Sequence, residues 1–117
     1  MNQVFLNAQH SLLDSQVKLL DTRFPEGWEA VKIPAEGWNA VEMAKIVAIL
    51  PINSKVAFVS PVPLLIGLTA AQALDNGWEV FVMHNDKRVA KEVKNMDGST
   101  KIIHVIANEG WELIRVA

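Results

Sequence analysis

The chain has 117 residues, about one domain's worth, with eleven basic and thirteen acidic side chains and a net charge of −2. Half the residues are apolar and about a fifth charged, a balance that excludes a disordered tail. The near-even charge argues against a general duplex-DNA coat, which needs a basic face, but leaves room for a small anion in one local pocket.

Gln3 to Leu6 is a short apolar run, broken by the polar loop Asn7-Ala8-Gln9-His10. Ser11 to Asp14 fits the S-x-x-[DE] pattern of a helix start, so Ser11 is expected to be the cap, with Leu13, Val17 and Leu20 following at helical spacing. Trp28 to Ile33 reads as a second strand and Trp38 to Leu50 as a second helix, closed by Pro51. Lys55 to Val59 is the most continuous apolar strand, as expected where both faces are covered. A helix from about Pro63 to Leu74 ends at Asn76-Gly77, a left-handed stop, and Glu79 to Met83 is the fourth strand. This repeated alternation predicts an α/β, Rossmann-like three-layer domain with a mostly parallel sheet.

The alternation then ends. HNDKRVAKEVKN reads as a polar segment, Asp97-Gly98 as a turn, and Lys101 to Ala107 and Trp111 to Val116 as strands. The last third is therefore expected to be an antiparallel addition to the sheet edge. No linker divides residues 1–117, so one domain is expected.

With no cysteine there is neither a disulfide frame nor a thiolate metal site, which fits a reducing cytoplasm. The opening MNQVFLNAQHS lacks the pattern of a signal peptide, and no run of about 18 apolar residues offers a membrane span. All four tryptophans follow glycine, at irregular spacings of ten, forty and thirty-three residues. Punctuation explains this better than base stacking: glycine ends a turn and tryptophan anchors the next element.

In an open parallel sheet, ligands collect at the carboxyl ends of the strands, where strand order reverses. Three segments should meet there: Asn7 to Ser11, Ser60 to Pro63, and His84 to Arg88. Two of them run into helices, whose N-termini offer free N–H groups to an anion, and Pro63 fits a first helical turn. No G-x-G-x-x-G, P-loop, H-E-x-x-H or G-x-S-x-G pattern occurs, so no metal and no nucleotide cofactor is expected.

Individual residues admit more than one reading. His10 is either a phosphate donor and proton carrier or a surface histidine beside a helix cap. Ser60 is a turn former or a ligand donor. His84, Asn85, Lys87 and Arg88 form a solvated basic loop or the rim of a site. His104 reads as structural, and Asn39 and Glu42 as ordinary exposed positions. Gly67, with Ala70, Ala71 and Ala73, suggests close packing of the third helix, buried on nearly all sides, with a subunit interface as one way to cover it.

The Asn-x-x-His loop after the first strand, the Ser-Pro-x-Pro turn after the third and the Ala/Leu-rich helix beyond it resemble small CARF-type proteins. These are the CRISPR-associated Rossmann-fold accessory proteins of type III systems, including the ring-nuclease group. The resemblance spans roughly residues 3 to 90. It implies a homodimer, or a higher assembly, that binds a cyclic oligoadenylate, most often the four-adenosine ring, across its two-fold axis. It places Asn7, Gln9, His10, Ser11, Ser60 and Val62 around the ligand, with His84 and Asn85 at the rim.

Ring nucleases cut without metal, through attack of a ribose 2′-hydroxyl on its own phosphate. Here no lysine or arginine falls in the first loop or the third-strand turn, and His10 alone is an obvious acid or base. Sequestration of the messenger is therefore the preferred expectation, slow cleavage with a catalytic His10 the second, and an interaction module without nucleotide the third.

Overall fold

The structure, a computed structural model, describes residues 2–117. In chain order the elements are β1 (Asn2–Asn7), α1 (Asp14–Arg23), β2 (Glu29–Ile33), α2 (Ala40–Ala48), β3 (Lys55–Phe58), α3 (Pro63–Asn76), β4 (Glu79–His84), β5 (Arg88–Lys94), β6 (Thr100–Ile106) and β7 (Glu112–Arg115). Five strands form the main sheet in the order β2-β1-β3-β4-β7, with the first four parallel and β7 antiparallel to β4. The fold is thus mixed α/β with a mostly parallel sheet, compatible with a Rossmann-like layout.

Both faces of the sheet are covered, and side chains along each strand alternate between them. Val4, Ala57 and Phe81 meet Leu20 and Phe24 of the α1 segment, while Phe5, Val56, Phe58 and Val80 meet Met43, Val47, Leu65 and Ala73 of α2 and α3. Phe5 and Phe58 stack with ring centroids 5.2 Å apart across the β1–β3 seam. Each fully buried valine, leucine or phenylalanine among them contributes about 1.5–3 kcal/mol.

Three local expectations need correction. The α1 cap is Leu13, not Ser11; the Gln16 carboxamide accepts the Leu13 N–H at 3.0 Å. The helix starts late because residues 7–10 are held in a turn and Leu12 packs into the α1-side core. Asn39 and Glu42 are no idle surface pair: each side chain accepts the other's backbone N–H, forming the box that caps α2. The third helix buries only Leu65, Thr69 and Ala73, so it is not enclosed on nearly all sides. Leu64, Gly67, Ala71 and Leu74 form an open stripe along its outer face.

The largest departure lies in the last third. Only β7 extends the main sheet, while β5, in the segment that reads as merely polar, pairs with β6 in a separate two-stranded sheet. Charge hides this strand, since Arg88, Lys91, Glu92 and Lys94 interrupt an otherwise ordinary strand pattern around Val89 and Val93. The ribbon elongates the molecule: its radius of gyration is 16.6 Å, against about 13 Å for a compact chain of this length.

The Gly-Trp pairs act as the sequence suggests. Gly27, Gly37, Gly77 and Gly110 all adopt positive φ, which favours glycine, and each following tryptophan directly precedes an element or its cap. Trp78 is the most buried, at 4 % exposure, and its indole N–H donates to the Pro51 carbonyl at 2.7 Å.

Candidate functional site

Strand order reverses between β1 and β3: the chain leaves β1 toward β2, then crosses back to β3. The carboxyl ends of these two neighbours splay their following loops apart, which opens a crevice. At this point Ser60 is 3 % exposed, and its Oγ accepts the Asn7 backbone N–H at 2.9 Å. The same oxygen lies 3.0 Å from His10 Nδ1. The first loop thus returns onto the third-strand turn through one hydroxyl.

The loop is also braced internally. The Asn7 side chain accepts the Gln9 N–H at 2.9 Å, the Asn7 carbonyl accepts the His10 N–H at 2.9 Å, and the Ala8 N–H donates to the Ile33 carbonyl at 2.7 Å. This is an Asx turn, the usual reason for asparagine at such a position. It holds His10 at the surface with Nδ1 engaged by Ser60 and Nε2 outside that contact.

Gln9 and His10 open on an adjacent cavity of about 530 Å³, walled also by Leu6, Ser11, Val59 and Pro61 and closed from the other side by Ile106 and Trp111, whereas Asn7, Ser60 and Val62 do not line it. Because α1 begins late, Ser11 is exposed and free of capping duty. Val62 occupies the cap position of α3, packs on the core and offers no polar side chain. With Pro63 next, no side chain satisfies the first-turn amides of α3, and these carry the partial positive end of the helix.

His84 and Asn85 stand elsewhere and do not line this cavity. His84 is exposed, with Nε2 3.1 Å from an Asp86 carboxylate oxygen. Asn85 is buried at 8 % exposure and works as a pin: its amide donates to the carbonyls of Ala107 and Glu109, and its oxygen accepts the Lys87 N–H. That role arises where the chain leaving β6 returns beside the end of β4, a long-range event with no local sequence signal. Trp111 and Ile106 escape sequence reasoning as lining residues for the same cause, because they reach the cavity only through the return of the last third.

A second groove of about 710 Å³ runs between α1 and β7. Arg23 and Arg115 on its margin both contact Glu79, at 3.2 and 3.1 Å, and Arg23 lies 4.6 Å over the Phe81 ring. These contacts fasten the edge strand. Trp111 lines both hollows, and its buried indole N–H has no hydrogen-bond partner among the described residues.

Among the described residues no group of three or more His, Asp or Glu side chains is placed to hold a metal ion, and no helix is long and apolar enough to cross a membrane. Compared with known proteins, the chain matches no protein-family model and no curated protein.

Proposed function

We propose that the chain binds and sequesters a cyclic oligoadenylate, with cyclic tetra-adenylate as the first ligand to test. The observation that carries this reading is the junction of Asn7, His10 and Ser60 at the strand-order reversal, opening on an adjacent cavity. It unites two of the three features on which the CARF resemblance rests, the Asn-x-x-His loop and the Ser-Pro-x-Pro turn. Amide donors at the start of α3 suit a phosphate, while His10, Gln9 and Ser11 suit ribose hydroxyls or adenine edges.

Size supports a shared site. A hollow of about 530 Å³ falls within the usual range of about 300–1,000 Å³ for small-molecule pockets, but it is small for a four-nucleotide ring. Two copies facing each other across a two-fold axis would present two hollows to a ligand that is itself symmetric. The outer stripe of α3, Leu64, Gly67, Ala71 and Leu74, offers a second copy an apolar surface in which two leucines flank two small residues.

Cleavage is the second reading, favoured by the contact between His10 and Ser60. In that reaction the 2′-hydroxyl forms the new bond to phosphorus, the bond to the 5′-oxygen breaks, and a 2′,3′-cyclic phosphate and a 5′-hydroxyl result. The proton leaves the attacking hydroxyl, and one is delivered to the departing oxygen. His10, oriented through Nδ1 by Ser60, is the group to carry it.

Radiolabelled cyclic tetra-adenylate, run on native and denaturing gels, tests both readings. A native shift with intact ligand supports sequestration. A linear product ending in a cyclic phosphate makes the protein an enzyme and directs attention to His10, whose replacement by alanine should then abolish the product. Neither shift nor product removes the oligoadenylate reading and leaves an interaction domain.

A further inference from the structure

The β5–β6 ribbon is an element that the rest of this chain does not explain. A lone two-stranded sheet is marginally stable in water, because each strand has one partner and neither face has a core. This one exposes Val89, Ile102 and Ile106 at 46, 67 and 49 %. Its strands carry Arg88, Lys91, Lys94 and Lys101 against Glu92 alone, whereas the whole chain is net −2. The ribbon is thus basic and the remainder of the molecule correspondingly acidic.

Its root sits at the candidate site. Ile106, the last residue of β6, forms part of the cavity wall, and Asn85 locks the neighbouring backbone. Outward from Ile106, the strand register places His104 and Ile102 of β6 on the same face, opposite Ala90 and Glu92, then Thr100 opposite Lys94. At about 3.3 Å per residue, Ile102 lies roughly 13 Å and Thr100 roughly 20 Å beyond Ile106. A stiff ribbon of that length carries Lys94 away from its own cavity, beyond the reach of a lysine side chain. Among the described residues no lysine or arginine lines that cavity.

The geometry points to an arm that docks on a second copy of this chain, with Ile102 as its apolar contact and Lys94, near the ribbon tip, brought to the mouth of the second copy's cavity. A second copy is the occupant that fits the charge. Outside the ribbon strands the chain is net acidic, and the docking face carries Arg88 and Lys94 against Glu92. The second copy's cavity lacks a lysine or arginine among its described lining residues. Under two-fold symmetry each arm reaches the other protomer, so both ribbons gain a covered face at once. Docking stands independently of the ligand; the role of Lys94 in binding rests on the oligoadenylate reading.

The absence of native cysteine makes the test direct. Thr100→Cys and Ser11→Cys chains, carrying tags of different mass, are co-expressed and treated with a short bis-maleimide without nucleotide. The expected product is the mixed covalent dimer. Lys101→Cys, on the opposite ribbon face, should give far less. Sedimentation should show a wild-type dimer that Ile102→Lys converts to monomer without changing thermal unfolding of the body. A monomeric wild type, or mixed cross-linking no greater for Thr100→Cys than for Lys101→Cys, overturns the arm.

Lys94→Ala should then weaken cyclic tetra-adenylate binding about tenfold and flatten its salt dependence while the dimer persists. A wild-type dimer that cross-links as expected but ignores the nucleotide removes the oligoadenylate reading and keeps the arm. Tight binding unchanged by Lys94→Ala removes the lysine's role.

Discussion

The β3 strand and the β5–β6 ribbon contain similar strand-forming residues and meet opposite fates. Val56, Ala57 and Phe58 are essentially inaccessible, flanked by strands on both sides and by helices on both faces. Val89, Ile102 and Ile106 have one neighbouring strand and open faces. The contrast teaches that strand propensity sets the local conformation while coverage sets the stability.

The largest effect separating the two regions should come from Phe58→Ala. Phe58 is 1 % exposed and stacks on Phe5, so its loss costs about 3–5 kcal/mol and unfolds the whole body early in a urea titration. The same truncation of Ile102 should shift the urea midpoint little in dilute solution. A body that tolerates Phe58→Ala would break the comparison.

Asn85→Ala tests the root that joins the regions. It removes two donors and one acceptor from a buried position and should cost about 1–3 kcal/mol. Native-state hydrogen exchange should show the loss in the ribbon first, with β3 amides still protected to the global limit.

At the candidate site, Ser60→Ala and His10→Ala should separate folding from binding. Ser60→Ala leaves the Asn7 N–H without its acceptor and should cost about 1–3 kcal/mol in urea unfolding as well as weakening ligand. His10→Ala removes an exposed ring and should weaken ligand with stability nearly unchanged. Equal stability losses in both would show that His10 serves the fold.

The smallest effect lies at the ribbon tip. The Ser99 hydroxyl, and then its N–H, hold the Asp97 carboxyl below its ordinary value of 3.8. Since the folded value is depressed, the carboxylate's contribution to the turn is present above about pH 3.8 and is lost as pH falls through the lower folded value. An NMR titration should move the Gly98 and Ser99 amides in that acid window, and Asp97→Asn should abolish the movement while the body's amides stay still.

Much of the body was legible because its signals are local. Alternation of apolar runs with helical spacing, the Asn76-Gly77 stop and the Gly-Trp pairs mark elements whose partners are the next elements along the chain. The placement of Asn7, His10 and Ser60 at one crevice also comes from parallel-strand topology, which sends successive strand ends to the same edge. The failures share one cause. Ser11 matched a cap pattern, but the turn at residues 7–10 and the packing of Leu12 moved the helix start; β5 was hidden by charges that are tolerated because nothing in this chain covers them.

The amino-acid sequence by itself therefore determined the α/β alternation, the covered central strand and the two loops that form the candidate crevice, since periodicity and turn chemistry act within a few residues. Tertiary structure alone decided that Asn85 pins rather than lines, that Ile106 and Trp111 close the cavity, and that β5 and β6 leave the sheet as a ribbon. Those outcomes depend on which distant backbone groups find partners, and no local pattern encodes that choice.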